Sequence, residues 1–105
     1  MCRFTVLLLL VACTPTRVEF REQFSYEFCV RLRDCVGTSS MQENIGGVDG
    51  CVETLSEALY GEFSEAECPA YSGNAAANCL DGIEALSCSG VENFNLPGAC
   101  DDVCL

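Results

Sequence analysis

Cysteine is the residue type that decides what chemistry this chain can do. Ten of its 105 residues are Cys, a share at the threshold that is typical of disulfide scaffolds. The chain has no His, and its five basic residues are all Arg, so imidazoles and amines are missing as general bases. Only paired carboxylates remain for acid–base catalysis, and scattered Asp and Glu on helices usually form a solvated face. We therefore expect no enzymatic activity.

Metal binding and thiol redox catalysis are the other uses of cysteine, and the spacing disfavours both. The chain contains no C-x-x-C motif, the signature of many zinc sites and of thioredoxin-type enzymes. It also lacks a D-x-[DN]-x-[DN]-G calcium loop, for which Asp101-Asp102 is a weak substitute. The sequence therefore predicts disulfide bonds, with no metal ion and no cofactor.

The N-terminus reads as an export signal. The apolar run FTVLLLLVA at residues 4–12 is too short to span the roughly 30 Å of a bilayer as a helix. It ends in Leu10-Val11-Ala12-Cys13, an order that resembles the lipobox of bacterial lipoproteins. The resemblance implies cleavage before Cys13 and lipidation of its sulfur. Thr14 follows instead of Asp, which by the same resemblance implies delivery to the outer membrane.

Cysteine parity supports this interpretation independently. Cleavage before Cys13 discards Cys2 and leaves an odd number of cysteines, and lipidation removes one more from the thiol pool. The eight that remain can pair fully: Cys29, Cys35, Cys51, Cys68, Cys79, Cys88, Cys100 and Cys104. A plain secretory signal cut after Cys13 or Thr14 leaves the same eight and gives a soluble secreted protein. Both processing routes stay open.

The pairing of these eight cysteines is not fixed by the sequence, because eight allow 105 connectivities. Cys35 and Cys51 flank one expected loop, and Cys88 and Cys100 flank another. We expect each of these two pairs to close a helical hairpin at its turn.

The clearest helical pattern runs from Val18 to Val36. Apolar residues recur there every four positions, which places them on one face of an amphipathic helix, and Gly37 is the expected C-cap. These residues are Phe20, Phe24, Phe28, Leu32 and Val36.

The rest of the chain predicts further short helices and no strand. Residues 37–50 contain four glycines and read as a loop with at most one transient turn. A second helix is expected from about Cys51 to Tyr60, and a third from Cys68-Pro69 to Cys88. The buried stripe of the third helix is Tyr71, Ala75, Cys79, Ile83 and Leu86. With a last helix over Ala99–Leu105, the prediction is an all-α bundle of three to four short helices stapled by disulfides.

This organisation divides the chain into a signal peptide at 1–12, a lipid-anchored tether at 13–17 and a cysteine-rich helical domain at 18–105. The net charge is −11, and no basic residue follows Asp34, so binding to nucleic acid is excluded by charge. Arg17 and Arg21 share a helical face near the anchor. They lie either against anionic lipid or in solvent beside acidic neighbours.

The arrangement of cysteine segments is also similar to a known group. Behind the lipobox come FCVRLRDC, CVETLSEAL, ECPAYSGNAAANCLDGIEALSC and ACDDVC. This order resembles the small cysteine-rich lipoproteins of myxobacterial genomes, above all between Cys68 and Cys88. The group has no assigned activity, so the resemblance implies compartment and fold and supplies no catalytic residue.

Three hypotheses of function follow. The first is a cell-envelope lipoprotein, held to the membrane by its lipid anchor, whose domain acts as an interaction or structural module toward a protein partner. The second is a carrier of a small molecule or lipid, with a cavity of at least about 300 Å³. Its lining would be Phe20, Phe24, Phe28, Tyr71 and Ile83. The third is a secreted inhibitor or toxin-like factor, which requires an unlipidated N-terminus.

Overall fold

Helices form all the regular secondary structure in the part of the chain that the computed structural model describes, residues 14–61, 64 and 66–104. The all-α prediction is confirmed, although these residues form five α-helices and a 3-10 helix instead of three to four helices. The helices are α1 (Arg17–Val36), α2 (Thr38–Ile45), α3 (Gly47–Tyr60), α4 (Gly73–Glu84), α5 (Cys88–Glu92) and the 3-10 helix Gly98–Asp102. The predicted signal peptide and Cys13 lie outside the described residues.

Helix α1 begins one residue before its predicted start and is capped at both ends. The Thr16 hydroxyl accepts from the Glu19 backbone N–H at 3.1 Å, and the Glu19 carboxylate accepts from the Thr16 N–H at 3.0 Å. This reciprocal pair satisfies two N–H groups that the first turn leaves without helical partners. Gly37 is the predicted C-cap, with a φ of +97° that favours glycine.

The aromatic stripe of α1 forms the centre of the core, as predicted. Phe20, Phe24 and Phe28 are buried, and their ring centroids lie 5.7 and 6.0 Å apart along the helix. Leu32 is half-buried and Val36 is exposed, so burial fades toward the end of α1. The stripe stabilises the fold through the area that it removes from water.

Two helices pack along α1 in opposite directions. Tyr60 lies beside Arg21 and Cys51 beside Cys29, so α3 runs antiparallel to α1. The ring of Tyr71 lies 6.4 Å from that of Phe20, and the Arg31 guanidinium donates to the carbonyl oxygen of Leu86, so α4 runs in the same direction as α1. One end of the molecule therefore gathers the beginning of α1, the end of α3 and the beginning of α4. We call it the anchor end, after the lipid anchor that the sequence predicts at Cys13.

The loop predicted at 37–50 is wrong, because this segment folds into α2 and the first turn of α3. Met41 of α2 is buried against the bridge between Cys29 and Cys51 and forms a second, smaller core cluster with it. The two helices meet at a tight corner. Gly46 ends α2 in a left-handed conformation, and Gly50 passes so close to the Ile45 carbonyl group that a Cβ there would collide with the oxygen. Glycines that indicate a loop in the sequence are required here because the corner has no room for a Cβ and needs a left-handed backbone.

The predicted third helix, Cys68 to Cys88, is too long at both ends. Helix α4 begins at Gly73, where the Ser72 hydroxyl accepts from the Ala75 N–H, and not at Pro69. The preceding residues are held elsewhere, since the Ser72 N–H donates to the Val103 carbonyl oxygen near the C-terminus. After Glu84 the chain turns, and Ser87 caps the separate helix α5.

The segment predicted as a last helix, Ala99–Leu105, is a 3-10 helix over Gly98–Asp102 that packs against α4. Val103 follows it and is buried in the main core cluster. Short 3-10 helices have poorer hydrogen-bond geometry than α-helices, so packing and crosslinks hold this one in place.

The corner between α2 and α3 provides a test of the fold. Helix propensity alone predicts that Gly50→Ala stabilises the protein by up to about 1 kcal/mol. The collision with the Ile45 carbonyl group reverses the sign, and we expect a loss of about 1–3 kcal/mol in the free energy of unfolding, measured by urea denaturation with the disulfides intact.

The matched control is Gly98→Ala in the 3-10 helix, where a Cβ meets nothing within 4 Å. Its effect should stay within about 0.5 kcal/mol. Equal stability of the two variants would show that the corner tolerates a side chain.

Candidate functional site

All eight cysteines predicted to form disulfides do so, in four bridges that each join two different segments. Cys29–Cys51 joins α1 to α3, and Cys35–Cys88 joins α1 to α5. The other two bridges, Cys68–Cys104 and Cys79–Cys100, fasten the C-terminal segment to the segment before α4 and to α4 itself.

Both pairings expected from the sequence, Cys35–Cys51 and Cys88–Cys100, are wrong. Cys51 lies one turn inside α3, so its neighbour on the antiparallel helix α1 lies well before the end of α1 and is Cys29. Helix α5 packs against α1 and takes Cys88 to Cys35, whereas the 3-10 helix packs against α4 and takes Cys100 to Cys79. Pairing cysteines that are consecutive in the sequence gives the wrong bridges here, because each bridge joins segments that pack together and does not close a loop.

The residues just after Cys13 are docked on the domain. The Tyr71 hydroxyl donates to the Pro15 carbonyl oxygen at 2.6 Å. Gly73 lies so close to Thr14 that a Cβ there would come within 2.7 Å of the Thr14 hydroxyl oxygen. Together with the capping box of α1, these contacts hold Thr14, Pro15 and Thr16 against the beginning of α4. The segment assigned to a tether, 13–17, therefore contacts the domain from Thr14 onward, and Arg17 is the first residue of α1.

Arg17 and Arg21 share a face of α1 as expected, but both side chains also contact the protein. The Arg17 guanidinium lies over the Tyr71 ring, 5.5 Å from its centroid, and donates to the Cys68 carbonyl oxygen at 2.8 Å. The Arg21 guanidinium lies 4.7 Å from the centroid of the Tyr60 ring, a cation–π contact. Arg17 therefore helps to hold the N-terminal segment, whereas Arg21 contacts the end of α3 through Tyr60.

The Tyr71 hydroxyl, which contacts the N-terminal segment, has an altered pKa. Burial, reinforced by the nearby Glu19 carboxylate and opposed by Arg17, raises the pKa of Tyr71 from 10.0 to about 12. The phenol therefore stays protonated at neutral pH and keeps donating to Pro15. Sequence reasoning missed this contact because its partners are 56 residues apart and no local pattern joins them.

An open groove lies between α1 and α3 at the anchor end. Its volume is about 380 Å³, and it is lined by Arg21, Ser56, Glu57 and Tyr60. The Tyr60 side chain is 63 % exposed at its edge. The groove is shallow, with one cation and one anion on its walls, so it presents an amphipathic surface and no enclosed ligand chamber.

The side chains assigned to the cavity of a carrier fill the core instead. Phe20 and Ile83 are at most 1 % exposed, and Phe24 and Phe28 at most 6 %. Tyr71 packs against Phe20 while its hydroxyl reaches the N-terminal segment. These residues form or pack against the main core cluster, so their burial is explained by core packing and gives the carrier hypothesis no support.

Within residues 14–61, 64 and 66–104, no three His, Cys, Asp or Glu side chains form a group that could hold a metal ion. No helix in the same residues has the length and apolar composition needed to cross a bilayer. No protein family, curated protein or solved structure matches the chain. Its function is therefore argued from its own residues.

The docked N-terminal segment predicts a measurable alkaline effect. Because the pKa of Tyr71 is 10.0 in the unfolded chain and about 12 in the folded one, its stabilising contribution is complete below pH 10 and declines as the pH rises to 12. Tyr71→Phe should lower the free energy of unfolding by about 0.5–1.5 kcal/mol at neutral pH and should remove this decline, as measured by urea denaturation at each pH.

Tyr26→Phe is the matched control, because Tyr26 is 55 % exposed on α1. We expect it to keep the stability and the pH profile of the native chain. A Tyr71→Phe variant that retains the decline between pH 10 and 12 would contradict the assignment to Tyr71.

The bridges should also differ in their sensitivity to reduction. Cys88 is exposed and Cys35 half-buried, whereas each other bridge contains one cysteine that is completely buried: Cys29, Cys68 or Cys79. Since a thiolate must reach a sulfur to exchange with it, we expect graded dithiothreitol to open Cys35–Cys88 first. Alkylation and peptide mass mapping would detect this order, and earlier labelling of any other pair would contradict it.

Proposed function

We propose that this protein is an exported cell-envelope lipoprotein, anchored through a lipidated Cys13, whose stapled helical domain is displayed as an interaction or structural module. Its work is contact with a protein partner in the envelope and not catalysis. In this proposal residues 1–12 are the signal peptide that is removed.

The complete pairing of the other cysteines carries the proposal. Every cysteine from Cys29 to Cys104 is bonded to another in the same range, so none of the described cysteines is left as a partner for Cys13. After removal of the signal peptide, Cys13 is the one thiol that needs another use. Thioether lipidation supplies that use, and the order Leu10-Val11-Ala12-Cys13 fits it.

The disulfides also support the compartment. Four bridges in a domain of this size are stable in an oxidising environment and are rare in a reducing cytosol. Thr14 after the lipidated cysteine favours the outer membrane. All 16 acidic residues of the chain lie in the domain, and this excess of negative charge favours a soluble domain on the envelope surface and disfavours any nucleic-acid partner.

The strength of the anchor follows from the number of acyl chains. Each buried methylene contributes about 0.8 kcal/mol, and a single chain gives only marginal membrane binding. A diacylglyceryl thioether together with an amide-linked acyl chain gives a lasting anchor. The secreted alternative, an inhibitor or toxin-like factor, differs by its free N-terminus.

Intact mass spectrometry of the protein extracted from its native envelope tests the proposal. We expect a chain that begins at Cys13, carries the mass of the acyl groups and contains eight cysteines as four disulfides. Cys13→Ser should abolish the acyl mass and move the protein from the detergent phase to the aqueous phase on detergent partitioning.

Cys2→Ser is the control, because Cys2 lies in the discarded signal peptide and its loss should leave the mature mass unchanged. An unacylated chain that begins at Thr14 or Pro15 would instead support the secreted alternative. A chain that retains Met1 would contradict both export routes.

A further inference from the structure

The N-terminal segment leaves no spacer between the anchor and the domain. Thr14 is already packed against Gly73, and Pro15 accepts the Tyr71 hydrogen bond. Consecutive Cα atoms are about 3.8 Å apart, so Cys13 is at most that far from docked backbone. If Cys13 is acylated, as the proposed function holds, the domain cannot move away from the bilayer on a flexible tether.

The surface next to this attachment point has the composition of a membrane interface. Val18 is 52 % exposed in the first turn of α1 and is a helical neighbour of Arg21, three positions on. The Arg21 guanidinium lies over the exposed ring of Tyr60. We call Val18, Arg21 and Tyr60 the anchor-end face. It combines an apolar side chain, an aromatic ring with a polar tip and a cation on a long stem, as side chains at lipid headgroups do.

We propose that the anchor-end face lies in the headgroup layer of the bilayer that holds the acylated Cys13, so that the domain has a fixed orientation on the membrane. This inference rests on the proposed function and adds to it which surface meets the lipid. Along α1 the face lies within about 6 Å of Arg17, whereas the whole helix is about 30 Å long. The far end of the domain, with α2 and α5, then points away from the membrane.

Attraction to anionic lipid does not produce this orientation. Glu57 lies beside Arg21 in the groove, and Glu19 and Glu22 are exposed on the first half of α1. Residues from Asp34 onward add acidic groups and no basic one. The short attachment and the amphipathic side chains hold the face at the lipid, so contact is expected on zwitterionic membranes.

The absence of tryptophan from the chain allows a direct test. Tyr60→Trp and Tyr26→Trp each introduce a single fluorophore at a site that is exposed to a similar extent, 63 % and 55 %. Tyr26 lies about 13 Å further along α1 than Arg17, away from the anchor end. The acylated full-length variants are reconstituted in phosphatidylcholine vesicles that contain a lipid with a nitroxide near its headgroup.

We expect the nitroxide to quench the Tyr60→Trp variant several-fold more than the Tyr26→Trp variant, with a blue-shifted emission only in the former. Insertion of Gly-Ser-Gly-Ser between Cys13 and Thr14 adds a reach of about 13 Å. This insertion should reduce quenching of the Tyr60→Trp variant to the level of Tyr26→Trp.

The outcomes separate the two proposals. Intact mass of the same preparations reports acylation, and a chain without acyl groups contradicts the lipoprotein function and the orientation together. An acylated chain with equal, weak quenching at both positions overturns the orientation alone. Strong quenching that persists after the spacer insertion would still support the orientation, and it would show that the amphipathic side chains hold the face at the lipid without the short attachment.

Discussion

The fold depends on one constraint: three of the helices in its described residues are too short to be stable in isolation. Isolated helices shorter than about 12–15 residues are marginal in water, and α2, α5 and the 3-10 helix have 8, 5 and 5 residues. Each is packed against or bonded to a longer element. Helix α1 provides the buried aromatic face, and the disulfides restrict the unfolded chain, each contributing about 2–4 kcal/mol. The core and the bridges therefore act together.

The same constraint links the fold to the proposed function. All cysteines of the domain are paired with one another, so Cys13 is the cysteine that remains for lipidation in the proposed function. The contacts of Tyr71, Gly73 and Arg17 hold the residues directly after Cys13 on the domain surface. The anchor end is thus a structural consequence of how α1 begins. A module of this kind acts through the surface that it presents and the direction in which it presents it.

What the sequence could predict is the part that depends on local periodicity. The spacing of Phe20, Phe24 and Phe28 identifies the buried face of α1, and Gly37 marks the end of that helix. The loop predicted at 37–50 is wrong because glycines in this segment allow a tight corner between two helices. That corner depends on the close approach of Gly50 to the Ile45 carbonyl group, which no local pattern shows. The disulfide pairs and the Tyr71–Pro15 contact join residues 21 to 56 positions apart, and no local pattern encodes them.

The order of the bridges along the chain has a consequence for biogenesis. Among the described residues no bridge joins two cysteines that are consecutive in the sequence, and Cys29–Cys51 interlocks with Cys35–Cys88. Because the chain is made from its N-terminus, Cys35 can meet Cys29 and Cys51 long before Cys88 is present. Formation of α1 blocks one of these errors, because its Cys29 and Cys35 are about 9 Å apart along the axis, too far for a bridge. Helix α1 does not prevent the other error, Cys35–Cys51, and wherever that pair forms first the native bridges arise only through thiol–disulfide exchange.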